Sequence, residues 1–167
     1  MRAKLQHPEP KARSPEPQAS AYVDGLRMLG RRELSEAQIR QRLTRKGHQA
    51  EAVDAAVERL RAERAIDDAR VAEAIAHTET AVRRHGRLRV KRQIEQAGIA
   101  PAIARGALDA VFGAIDDEAL LQAALDRRLR GRDAIADEGE FRRLFRYLVG
   151  QGFEPERVIA ALRRRKA

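Results

Sequence analysis

The sequence predicts an all-α protein: three tandem three-helix repeats (helix-turn-helix-like units) forming an elongated or crescent array. Three observations carry that expectation. From Ala21 onward apolar residues recur three and four positions apart with no β-branched alternation, which is the helical period. Prolines crowd into Pro8, Pro10, Pro15 and Pro17 and then nearly vanish. Three glycines, Gly47, Gly98 and Gly152, spaced 51 and then 54 residues apart, set a common register. Eight residues before them stand Ile39, Val90 and Leu144, and four before stand Leu43, Ile94 and Leu148. Six after stand Val53, Ala104 and Val158, and ten after stand Val57, Leu108 and Leu162. Only Ala104 is small for its place. A repeat of this period is the signature of stacked helical units.

The physics of one unit follows from those positions. Two apolar residues four apart share a helix face, and a glycine just beyond them supplies the left-handed residue that ends a helix without a steric penalty. Pro101 and Pro155 each follow their glycine by three residues and suit the first turn of the next helix. Each unit therefore contains a helix–turn–helix, with a further helix before it.

Taken in order, residues 1–20 hold little to bury against the entropy of ordering them and are expected to form a disordered tail. The first repeat, 21–66, begins with a helix from Ala21 to about Gly30, and Ser35 with Gln38 has the spacing of a capping box. The second, 67–115, opens on Asp67 as helix cap, with a helix from Asp68 to Arg84. The third, 116–167, opens on Asp116, with a helix from Asp117 to Arg130.

Composition narrows the function. The 167 residues include no cysteine, which removes disulfides, thiolate catalysis and cysteine-based zinc sites. The formal charge is +9, and it is spread along the chain rather than gathered into one arm. A basic excess favours an acidic partner such as a nucleic acid or a nucleoprotein surface, although compositional bias toward Arg and Ala accounts for part of it. No stretch is long and apolar enough to span a membrane or to act as a signal peptide, so a soluble, cytoplasmic monomer is expected.

Catalytic signals are weak. His7, His48, His77 and His85 lack metal-ligand spacing and read as loop or surface residues. Asp67-Asp68 and Asp116-Asp117-Glu118 could hold a cation, but each lies where a helix begins and is better explained as capping. No phosphate-binding loop, dinucleotide fingerprint or nucleophile elbow is present. The chain reads as a non-enzyme that needs no cofactor.

Cationic residues are the better signal. Arg83, Arg84, Arg87, Arg89, Lys91 and Arg92 fall within ten residues that contain no acid. Arg89 and Arg92 precede Gly98 by nine and six residues, as Arg143 and Arg146 precede Gly152, so equivalent helices are expected to display equivalent Arg pairs. The first unit has Gln38 and Gln41 there instead. The ordinary reading of such a run is a solvated turn; the matched register is what favours a partner-binding face. Arg163-Arg164-Arg165-Lys166 is explained mostly by the negative end of a helix dipole. The few aromatics fall on apolar faces and do not form a base-stacking platform.

The chain resembles the bacterial RecX regulators of the RecA recombinase. The matching residues are Ser35-x-x-x-Ile39-x-x-x-Leu43-x-x-Lys46-Gly47, then Leu60 leading to Ile66-Asp67-Asp68-x-x-Val71-Ala72. Gly86-x-x-x-Val90-x-x-x-Ile94-x-x-x-Gly98-Ile99 follows, and then Leu148-x-x-x-Gly152-Phe153. They run in family order over residues 21–165. Arg64 stands where the family commonly has Gly, Val71 where it often has Phe, and Val90 where Ile is usual. The resemblance implies tandem three-helix repeats that bind RecA, free and as its filament on single-stranded DNA, lodge in the filament groove and inhibit ATPase and strand exchange. Single-stranded DNA would then be contacted through the filament. The alternative is a protein that binds DNA directly through basic helical faces.

Overall fold

The computed structural model describes residues 17–166. Among these residues the fold is entirely helical apart from one isolated β-bridge, between Ile135 and Lys166. The first unit comprises α1 (Pro17–Leu29), α2 (Glu36–Arg45) and α3 (Ala50–Ala62). The second comprises α4 (Asp68–His77), α5 (Arg87–Gln96) and α6 (Pro101–Gly113), and the third α7 (Asp117–Leu129), α8 (Glu138–Gly150) and α9 (Pro155–Arg164). Helix α1 starts at Pro17, four residues earlier than composition suggests, because proline is well suited to a helical first turn and Ala21 is buried against α3. The rest of the expected tail, residues 1–16, lies outside the described residues.

Caps set the boundaries. Ser35 accepts from the Gln38 amide while Gln38 Oε1 accepts from the Ser35 amide, which completes the predicted box. Asp67 and Asp116 accept from the amides of Arg70 and Ala119, each at 3.0 Å. Asp137 does the same for α8, a cap that the sequence reading did not single out. The expected helix from Asp68 to Arg84 is interrupted: after His77 the backbone widens into a π turn, Thr78–Val82. There the buried Glu79 carboxylate meets His85 Nδ1 at 2.6 Å, and Thr80 Oγ1 donates to Ala76 O.

All twelve register positions are buried, and each unit closes its own core. Ile39, Leu43, Val53 and Val57 pack with Leu34 and Leu60. Val90, Ile94, Ala104 and Leu108 pack with Val71 and Ile99, and Leu144, Leu148, Val158 and Leu162 with Leu121, Leu125 and Phe153. A fully buried aliphatic side chain contributes roughly 1.5–3 kcal/mol, so a handful per unit suffices. Phe112 touches both the second and the third core.

The units are joined end to end by one contact used twice. The start of α2 docks on the turn after α5: Ser35 Oγ donates to Ala97 O, and Glu36 N donates to Asp68 Oδ1 at 2.9 Å. The start of α5 docks on the turn after α8: Gly86 N donates to Gln151 O at 2.9 Å and Leu88 N to Gly152 O at 3.0 Å. Ser35 and Gly86 occupy the same register position, as do Ala97 and Gln151. Among the described residues no hydrogen bond or ion pair connects the first unit to the third, which makes the arrangement linear.

The receiving glycines are doubly constrained. Gly98 (φ +75°) and Gly152 (φ +93°) are left-handed, and a Cβ at Gly98 would overlap Ala37 Cβ while one at Gly152 would overlap the Arg89 backbone. Gly47 (φ +92°) carries only the conformational demand, since nothing lies within 4 Å of its Cβ position. Alanine should therefore cost about 1 kcal/mol at Gly47, more at Gly98, and most at Gly152, where the obstacle is main chain. Denaturant unfolding of the three variants checks that order. Ser35→Ala should cost about 2 kcal/mol, because it removes a helix cap and orphans a carbonyl of the next unit. The same unfolding measurement reads it.

Candidate functional site

The cationic segment leaves α4 through the π turn and enters α5, and the fold sends its side chains in different directions. Arg83 reaches back 2.9 Å to Glu79. Arg84 is left-handed (φ +59°) and lines a groove of about 750 Å³ between α4, α6 and α7. Arg87 pairs with Asp109 on α6, donates to Leu108 O and lies over the Phe112 ring, which ties the two helices together. Arg89 donates to Gly150 O at 3.1 Å across the contact between the second and third units. Both Arg87 and Arg89 are only partly exposed.

Lys91, Arg92 and Arg146 meet, although Arg92 and Arg146 are 54 positions apart. They border a groove of about 610 Å³ between α5 and α8, whose apolar walls are Leu88, Phe145 and Val149. Leu88 is 38% exposed. Lys91 pairs loosely with Glu95 at 3.7 Å, while Arg92 makes only a long bond to Leu88 O, and no carboxylate lies within ion-pair distance of Arg146 among the described residues. The stacking of two units converts a register match into one mixed apolar and cationic groove.

Arg89 and Arg143, the other register pair, are not equivalent. Arg89 is engaged at the joint between units, whereas Arg143 is exposed and lines a separate concavity with Arg128, Arg130 and Arg132. The physical reason is an indel: α8 has 13 residues where α2 and α5 have 10, so its added first turn changes what lies beside that part of the helix. In sequence Arg127, Arg128, Arg130 and Arg132 form a run of four arginines in six residues, which straddles the end of α7 and the following loop. Glu140 sits among them, accepting from Arg132 and from Ala136 N at 2.8 Å. These bonds, first the one from Arg132, hold its carboxyl down to about 2 from an ordinary 4.5.

Three of the four C-terminal cations have carboxylate partners: Arg164 with Glu118, Arg165 with Asp126 at 2.7 Å, and Lys166 with Glu138 at 3.3 Å. Arg157 joins them on Asp117 and Glu118. The acidic cluster at the start of α7 is thus engaged in capping and ion pairs. Among the described residues no group of three or more potential ligands is placed to hold a metal ion, and no helix is long and apolar enough to cross a membrane.

A linear stack of three-helix units with a basic, partly apolar inter-unit groove defines a helical-repeat protein. Family models for the first and second three-helix domains of RecX match residues 21–60 and 67–108. The regulatory protein RecX of Syntrophotalea carbinolica is 33% identical over 138 residues, covering 82% of this chain and 90% of that one. The regulatory protein RecX of Halorhodospira halophila is 32% identical over 137 residues, covering 81% and 82%. The chain belongs to the RecX family of regulatory proteins. Two crystal structures share the fold: one of regulatory protein RecX, with TM-score 0.74 and 23% identity over 88% of this chain and 71% of that one. The other is RecX from Lactobacillus salivarius, with TM-score 0.71 and 16% identity over 88% and 95%.

The pH dependence of the third unit follows from Glu140. A depressed carboxyl stabilises the fold above its unfolded value of about 4.5, and that contribution is lost as the pH falls through about 2. The denaturation midpoint should fall across that acid window. Glu140→Gln, measured in the same way, should flatten that part of the decline.

Proposed function

We propose that this protein restrains a RecA-type recombinase by binding it, free and as its filament on single-stranded DNA, and so inhibits ATP hydrolysis and strand exchange without chemistry of its own. The observation that carries the reading is the groove between α5 and α8. Lys91, Arg92 and Arg146 present positive charge, offset in part by Glu95, beside Leu88, Phe145 and Val149, which supply apolar area that water leaves readily. Arg84 and Arg143 add to the same sign of field from neighbouring elements, whereas Arg83 is paired with Glu79. Membership of a family of regulatory proteins agrees with a binding role, and the linear stack offers length along which to touch more than one protomer.

Of the cations expected to face the partner, Arg87 and Arg89 have intramolecular work and serve the interface indirectly, by fixing α5 against α6 and α8. An exposed pair is worth at most about 1 kcal/mol, so the groove acts through several charges together. The double variant Arg92→Glu with Arg146→Glu should keep its helicity and lose most inhibition, whereas either single change should lose a small part. Single-strand-dependent ATP hydrolysis by the cognate recombinase, titrated with wild type and variants, reads the effect. Full inhibition by a folded double variant would remove the groove from the interface. Direct binding to DNA is the competing reading: it predicts affinity for naked DNA equal to that for the filament, with a steep salt dependence from counterion release.

A further inference from the structure

The end of α7, the loop after it and the first turns of α8 enclose a concavity of about 410 Å³ lined by Arg128, Arg130, Arg132, Arg143, Glu140 and Leu144. Four guanidinium groups from three elements face one hollow that contains a single carboxylate. That carboxylate is already satisfied: Glu140 accepts from both terminal nitrogens of Arg132 and from the Ala136 amide. Arg128 is held over the Tyr147 ring, 4.9 Å from its centre, and is oriented before any ligand arrives. Arg130 is held left-handed (φ +53°), a conformation that disfavours a side chain and that Gly would adopt freely. Arg64 and Arg84 share that conformation, so the case for the site rests on the convergence of the four guanidinium groups.

We propose that this concavity is a phosphate-binding site, taking either a backbone phosphodiester of single-stranded nucleic acid or the free phosphates of a di- or triphosphate. Glu140 shows what a carboxylate does here: its two oxygens are met by one arginine fork and one amide. Arg128, Arg130 and Arg143 remain, and a tetrahedral anion with three or more acceptor oxygens can engage several guanidinium groups where a carboxylate engages one. Among the described residues Leu144 is the only apolar one in the lining, so the site takes the phosphate and leaves a base or sugar outside. The inference goes beyond recombinase regulation and does not depend on it.

The test uses the full chain and two probes: a short labelled single-stranded homothymidylate followed by fluorescence anisotropy, and pyrophosphate followed by calorimetry. Arg130→Gly with Arg143→Ala removes two guanidinium groups from the site. Arg64→Gly with Arg105→Ala removes the same charge from the first two units, and Arg64 is another exposed left-handed arginine (φ +55°), so the backbone consequences of the two glycine changes match. The site variant should weaken at least one probe by about tenfold or more, and the control by less than about twofold. Loss confined to pyrophosphate identifies a free phosphate as the ligand; loss confined to the oligonucleotide identifies the backbone. No binding of either probe to wild type, no loss in the site variant, or equal loss in the control overturns the proposal. Should the double variant unfold, Arg130→Gly alone carries the test, because it relieves backbone strain.

Discussion

The constraint on which the rest depends is the close approach of one helix start to the glycine turn of the next unit. Each three-helix unit is small, and its core is supplied largely by its own residues. Left alone, such units would be marginal and free to pivot. At Gly98 and Gly152 the preceding unit comes so near that there is no room for a Cβ, and main-chain and hydroxyl hydrogen bonds then fix the separation. This places α5 beside α8, and it is why Arg92 and Arg146 border one groove.

The array also has distinguishable ends. At the first unit the Gly47 turn receives no other unit among the described residues, while in the third α8 starts three residues earlier in the register than α2 and α5. That added turn is sealed by the Asp137 cap and by Lys166 on Glu138.

Much of the fold was legible because its determinants are local and periodic: the glycine register located every buried position it named, and Ser35, Asp67 and Asp116 marked three helix starts. Less local features were not. The π turn depends on the buried Glu79–His85 pair, and nothing in the spacing of those two residues announces it. Arg87 and Arg89 looked like members of an exposed run, yet Asp109, Phe112 and the Gly150 carbonyl claim them from elements far along the chain. Arg92 and Arg146 carried a readable signal because they share a repeat register. Arg128, Arg130 and Arg132 stand in a visible cationic run with Arg127, but their convergence with Arg143 depends on a loop and on the tertiary placement of α8. Arg64 illustrates the opposite case: the resemblance expects glycine there, and its left-handed backbone supplies the reason.

The joint at Gly152 is built mainly of main-chain groups, where the one at Gly98 also uses the Ser35 hydroxyl and the Asp68 carboxylate, and this has a consequence for divergence. An amide meeting a carbonyl places little demand on what either side chain is, provided that the residue at the point of approach has none. Nearly every other position at the joint is then free to drift, and charge or bulk can be redistributed over the surface while the spacing of the units stays put. A family built this way can keep its backbone at 16% identity.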